Sequence, residues 1–186
     1  IRHHETPGAS FQDNGFWIQT FCYAKRAMIL DKPYYMNRRD NPNSSVNNPE
    51  KVYCMNEEYR YIKDILTKDE ELWERFKYYY TFKKFGNYIF TLNRINIQFK
   101  HQYVLDISKE FNEAEKLGEL DKSIFPDVQL KKLELLMSDP EMFYLKEGMK
   151  DNSSAQKKLE KIENSNSYLI GRTITYIPRK LKKKFR

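Results

Sequence analysis

Glycine is scarce here, with 6 in 186 residues. A nucleotide-binding α/β half needs many tight strand-to-helix turns, which glycine serves best. Low glycine therefore points to a mainly helical chain. Cysteine is scarcer, at 2. Cys22 and Cys54 sit inside helical patterns and read as small buried residues rather than a disulfide, a usage that suits a reducing cytoplasm. No apolar run approaches the roughly 20 residues of a membrane-spanning helix. No signal-peptide pattern opens the chain. It opens on Ile1 without an initiator Met and reads as a piece of a longer protein. The 3 histidines are His3, His4 and His101. His3-His4 beside Glu5 invites a metal reading, but no Cys or His partner stands at ligand spacing. No Asp-x-Asp occurs anywhere.

Aromatics are plentiful, with 14 Tyr and 12 Phe. They supply large buried area and argue against disorder. At 40% hydrophobic residues, the chain can build one compact domain with a core. The net charge is +7, part of it concentrated in Arg179-Lys180-Leu181-Lys182-Lys183-Lys184-Phe185-Arg186. Such a tail seeks anionic surfaces. The aromatics are spaced as core stripes and no RNA- or DNA-binding motif is visible, so nucleic acid is not the expected partner.

Periodicity divides the chain. Trp17, Phe21, Ala24 and Met28 predict a helix from Asn14. Met28-Ile29-Leu30 and Tyr34 to Arg38 are two short strand candidates. Asp40 to Asn48 is a loop rich in Asn, Ser and Pro. Asn48-Pro49 predicts a helix start, with Val52, Met55, Tyr59, Ile62 and Leu66 on one face. Thr67-Lys68-Asp69-Glu70 reads as a capping box before Leu72, Trp73, Phe76 and Tyr80. Gly86 reads as a break. Tyr88 to Leu117 keeps helical spacing until Gly118. Further helical patterns follow through Leu130, Leu133 and Leu136, with a restart at Asp139-Pro140. Gly148 to Ser154 is a polar linker, Ala155 to Glu163 a short charged helix, and the basic tail ends the chain.

The stretch Glu5-Thr6-Pro7-Gly8-Ala9-Ser10-Phe11-Gln12-Asp13-Asn14-Gly15-Phe16-Trp17 places Asp13 where a loop becomes a helix. An aspartate there has two uses. It can cap the helix through a backbone N–H. It can also be an ionised carboxylate ready to take a proton.

Glu5 to Asp13, then one helix, then the run from Pro33 through Tyr34-Tyr35-Met36-Asn37-Arg38-Arg39-Asp40 to Asn43-Ser44-Ser45-Val46, resembles the second half of the catalytic domain of bacterial family 2 glycosyltransferases. The resemblance covers residues 1–66 well and continues more weakly to Arg186. It implies an inverting enzyme of GT-A type, with Asp13 as general base after Gln12. It implies that Glu5 and Gly8 lie beside the donor sugar, and that Trp17 floors the acceptor site by stacking on a sugar's C–H face; the alternative for Trp17 is a core residue. Arg38 or Arg39, with Ser44 and Ser45, would close over the donor diphosphate. Arginine suits that task because its fork donates two parallel bonds; the bland alternative is pairing with Asp40 or Glu50. The run Ser167 to Lys180 resembles tails of cell-surface polysaccharide glycosyltransferases.

The fold expected is mainly α: a helical bundle with one or two short edge strands, left from an incomplete GT-A α/β domain. Residues 1–48 would be the acceptor-side end of the catalytic domain, 49–150 a helical extension, and 151–186 a short helix and basic tail. The resemblance implies a nucleotide-sugar donor, a UDP-sugar first, and a saccharide or lipid-linked acceptor. It implies a divalent metal, Mn or Mg, in the full-length enzyme, with ligands outside this chain, so that this chain alone is inactive. It places the protein in the cytoplasm, at the inner face of the plasma membrane if residues 179–186 rest on anionic lipid. The alternative is a non-catalytic helical interaction or membrane-docking domain.

Overall fold

A computed structural model describes residues 1–6, 10–36, 44, 47–150, 165 and 167. The chain divides into two units, Ile1–Lys150 and Asp151–Arg186. In the first, apolar spacing becomes a helical bundle: α1 (Gln12–Tyr23), α2 (Cys54–Leu66), α3 (Glu70–Arg94), α4 (Ile97–Lys116), α5 (Asp127–Ser138) and α6 (Pro140–Phe143). A 3₁₀ turn at Lys122–Ile124 leads into α5, and a π turn at Tyr144–Gly148 follows α6. The charged helix and basic tail read from the sequence lie outside the described residues.

Helix α2 follows its pattern closely. Met55, Tyr59, Ile62 and Leu66 are all buried on one face. It meets the aromatic stripes of α3 and α4 in a core of edge-to-face rings. Tyr59 packs against Tyr80 at 5.4 Å and Tyr88 at 5.8 Å, and Phe85 against Phe111 at 5.5 Å. Such pairs add about 0.5–1.5 kcal/mol each beyond their burial. The phenols keep partners: Tyr80 donates to the Tyr59 carbonyl at 2.8 Å, and Tyr88 donates to Glu110 at 3.0 Å. Burial pushes both hydroxyls well above their ordinary range.

Several boundaries differ from the sequence expectations, each for a local reason. The spacing from Tyr88 to Leu117 is two helices, because Ile95 turns extended and Asn96 caps α4 by accepting from the Gln98 amide at 3.3 Å. The expected capping box is a simple cap: Asp69 accepts from Leu72 N at 3.0 Å, while Thr67 donates back to Lys63 O at the end of α2. Asn48-Pro49 forms a turn rather than a helix start, since Asn48 Oδ1 accepts from Glu50 N at 2.9 Å and Asn96 N donates to Pro49 O. Gly118 ends α4 as expected, at φ 67.

Gly86 does not break α3, which runs through it. Burial of Phe85 and Tyr88 on either side outweighs the roughly 1 kcal/mol cost of a mid-helix glycine. A Cβ at Gly86 would meet nothing within 4 Å. Gly86→Ala is therefore expected to stabilise the protein by about 0.5–1 kcal/mol, read as a raised urea midpoint at unchanged slope.

The expected edge strands are absent. Met28 to Leu30 and Tyr34 to Met36 are irregular, and no strand occurs among the described residues. A lone strand has no ladder to complete its backbone bonds, and none is offered here. These residues remain strongly exposed, Ile29 at 97% and Met36 at 95%. Asn37 and Arg38, the end of the second candidate, lie outside the described residues. Among those described, no helix is long and apolar enough to cross a membrane.

Candidate functional site

The first turn of α1 is assembled by three neighbouring segments. Phe11 precedes the helix at φ 64, a left-handed conformation that few aromatic residues adopt. Its ring is buried, with the Arg94 guanidinium 4.8 Å above it and Phe90 edge-on at 6.5 Å. Those contacts hold a backbone geometry that costs on the order of 1–3 kcal/mol. Asn14 donates from Nδ2 to the Phe11 carbonyl at 3.1 Å. Its Oδ1 accepts from Asn87 Nδ2 at 2.8 Å, and the same amide group donates to the Tyr59 hydroxyl at 2.8 Å. Ser10 is buried and accepts from Lys51 Nζ at 2.7 Å.

Asp13 sits in this turn and is exposed. The N-cap position of α1 is Phe11, whose side chain makes no cap bond, so Asp13 is not spent as the N-cap. Among the described residues, its hydrogen bond is a long contact of 3.4 Å from Asn14 Nδ2. The carboxylate is open to solvent in the first turn of α1.

Trp17 and Phe21 follow Asp13 at helical spacing on the same side of α1. Their rings stack at 5.2 Å. The helix turns these aromatics outward, opposite to what its stripe predicts: Trp17 is 58% exposed, whereas Gly15 and Gln19 are buried. Gln19 is tolerated inside because its Nε2 donates to Gly15 O at 3.1 Å and Arg2 O at 3.0 Å. The helix also stops at Tyr23, short of Met28. Trp17 and Phe21 instead line one wall of a groove of about 630 Å³; Phe76, Tyr79 and Lys83 of α3 form the other. Cys22 borders it with a free thiol, its pKa raised by burial.

A residue that the sequence reading passed over lies behind the turn. Glu58 of α2 is 1% exposed. Its Oε1 accepts from Gly15 N at 3.0 Å, and its Oε2 lies 2.9 Å from His4 Nδ1. His4 stacks flat on Tyr61 at 4.2 Å. His3 stacks separately on Phe16 at 4.6 Å, so the two histidines point to different partners. The clue was available: Glu58 lies three residues after Met55 and four before Ile62, on the apolar face.

Burial raises the Glu58 pKa above its ordinary 4.5; the His4 and Gly15 hydrogen bonds oppose this, and the Asp13 charge adds to it. A raised folded pKa means the folded state favours the protonated form. That contribution is complete below about 4.5 and is lost as pH rises through the shifted midpoint. Relative to Glu58→Gln, the wild-type melting temperature is therefore expected to fall as pH climbs from 4.5 toward neutrality. Parallel melting curves across that window would contradict it.

Of the other site residues read from the sequence, Glu5 is exposed and Gln12 half-buried. Ser44 is half-buried, and its carbonyl accepts from Asn47 N at 2.9 Å. Gly8, Arg38, Arg39 and Ser45 lie outside the described residues. The structure thus brings Asn14, Trp17 and Phe21 together along one groove, while Asp13, next to Asn14 in the same turn, is not part of its lining.

No family model, curated protein or solved structure matches this chain.

Proposed function

We propose that this chain is the acceptor-side portion of an inverting, sugar-nucleotide-dependent glycosyltransferase. The observation that carries the reading is Asp13: an exposed carboxylate, not spent as the N-cap, one residue before Asn14, which lines an aromatic groove. The role of base comes to Asp13 from the resemblance of residues 1–66 to family 2 enzymes.

In the proposed reaction the acceptor hydroxyl attacks the anomeric carbon of the donor sugar. The new C–O bond forms as the bond to the nucleoside diphosphate breaks, and the diphosphate leaves with the electron pair. Asp13 takes the hydroxyl proton, which a neutral alcohol does not release unaided. Trp17 and Phe21 offer ring faces to the C–H face of a sugar, and Lys83 offers a polar group at the groove's edge. Arg38, Arg39, Ser44 and Ser45 are assigned to the donor diphosphate on the resemblance alone. Among the described residues no three His, Cys, Asp or Glu side chains converge as a metal site.

The test is a screen of the full-length protein against nucleotide-sugars, UDP-sugars first, reading nucleoside diphosphate release with saccharide and lipid-linked acceptors. Release that depends on both donor and acceptor supports the reading. In that assay Trp17→Ala should raise the acceptor KM at least about tenfold with donor KM unchanged, a loss of roughly 1.4 kcal/mol in acceptor binding. No release with any donor would leave the second reading, a helical docking module. The exposed apolar residues Met28 to Leu30 and Tyr34 to Met36 favour that one, because such surface marks contact with another body.

A further inference from the structure

We propose that Glu58 is the positioning residue for Asp13: from α2 its buried carboxylate caps α1 through the Gly15 amide and fixes the direction in which Asp13 faces. This rests on the reading of Asp13 as the base, and adds a residue to that site.

The first turn of a helix carries amides without partners inside the helix, and a nearby side chain normally accepts from one of them. In α1 no such cap comes from the preceding segment. The Gly15 N–H donates instead across 43 residues of sequence to Glu58 Oε1 at 3.0 Å. The fit leaves no slack: a Cβ on Gly15 would lie 2.1 Å from that oxygen. Glycine at this position is what lets the carboxylate reach the backbone.

A second tie runs beside the first. Tyr59, next to Glu58, accepts from Asn87 Nδ2, and Asn87 donates in turn to Asn14 Oδ1. Of the two residues after Asp13, Gly15 is thus held by Glu58 of α2 and Asn14 by Asn87 of α3, which also donates to Tyr59 beside Glu58. The other Glu58 oxygen faces His4, which ties in the segment carrying Glu5. One buried carboxylate therefore sets α1, and with it the base, against the segment assigned to the donor side. The charged and titratable groups facing it are His4 from the N-terminal segment and Asp13 from α1.

The experiment combines NMR on the 186-residue chain with kinetics on the full-length protein. In the wild type, the Gly15 amide shift should follow the Glu58 carboxyl titration with the same midpoint. Glu58→Ala should average the Asp13 Hα–Hβ couplings and speed exchange of the Asp13 to Gly15 amides by about tenfold or more. Glu58→Gln, which keeps an acceptor oxygen for Gly15, should restore both. In the full-length enzyme Glu58→Ala should lower kcat at unchanged donor KM, with Glu58→Gln near wild type. A flat Gly15 amide shift, or unaltered Asp13 couplings in Glu58→Ala, overturns the proposal, and the wild-type titration decides it if that variant does not fold. Wild-type kcat in Glu58→Ala alongside an inactive Asp13→Asn also overturns it while leaving the base in place. Full activity of Asp13→Asn removes the base instead, and the couplings still report on Glu58.

Discussion

Asp13→Asn in the full-length protein is expected to reduce sugar transfer by about 10²–10⁴-fold, the usual share of a general base. The amide matches the carboxylate in size and cannot accept the acceptor's proton. Folding should be nearly unaffected. Asp13 is exposed, contributes no cap to α1, and makes one long contact with Asn14. Its loss removes at most the dipole interaction of a first-turn acid, about 0.3–1 kcal/mol. Donor affinity should also hold, because the base acts on the other substrate. The measurement is diphosphate release under saturating donor, beside a melting curve and a donor titration. Turnover equal to wild type would remove Asp13 from the chemistry.

Gly15→Ala should have the largest effect on stability. The new methyl would stand 2.1 Å from Glu58 Oε1 and 3.5 Å from Ile62 Cγ1. Helix α1 must shift off α2, or Glu58 must leave its place. Overpacking of this kind costs about 1–3 kcal/mol. Loss of the Gly15 bond strands a buried acceptor, at about 1–3 kcal/mol more. A denaturant titration should show this as a lowered midpoint. The contrast is Gly86→Ala, the same substitution in open space, expected to stabilise. Adding Glu58→Ala to Gly15→Ala should recover part of the loss, because the clash disappears with the carboxylate; strict additivity would mean that the two residues do not meet.

The helical character was legible in the sequence, and so was the stripe of α2 from Met55 to Leu66. Both follow from composition and from a period that buries one face of a helix. The face of α1 was not. Trp17 and Phe21 follow the rule for a buried stripe, yet Gly15 and Gln19 are inside. Which side of a helix faces in depends on what stands opposite, and opposite Gly15 stands Glu58. The break at Asn96 and the start of α2 at Cys54 were also missed, because Asn can cap a helix or close a turn with equal chemistry. Only the neighbours choose.

The sequence by itself determined the class of fold, the aromatic core and the position of Asp13 at the head of a helix, since each depends on residues near in sequence. The tertiary structure decided that Asp13 is free rather than a cap, that its helix turns its aromatics outward, and that Glu58 holds the turn. These follow from contacts between residues more than 40 positions apart, such as Gly15 with Glu58 and Asn14 with Asn87. Local spacing carries no record of such meetings; burial and hydrogen-bond satisfaction in the assembled bundle fix them.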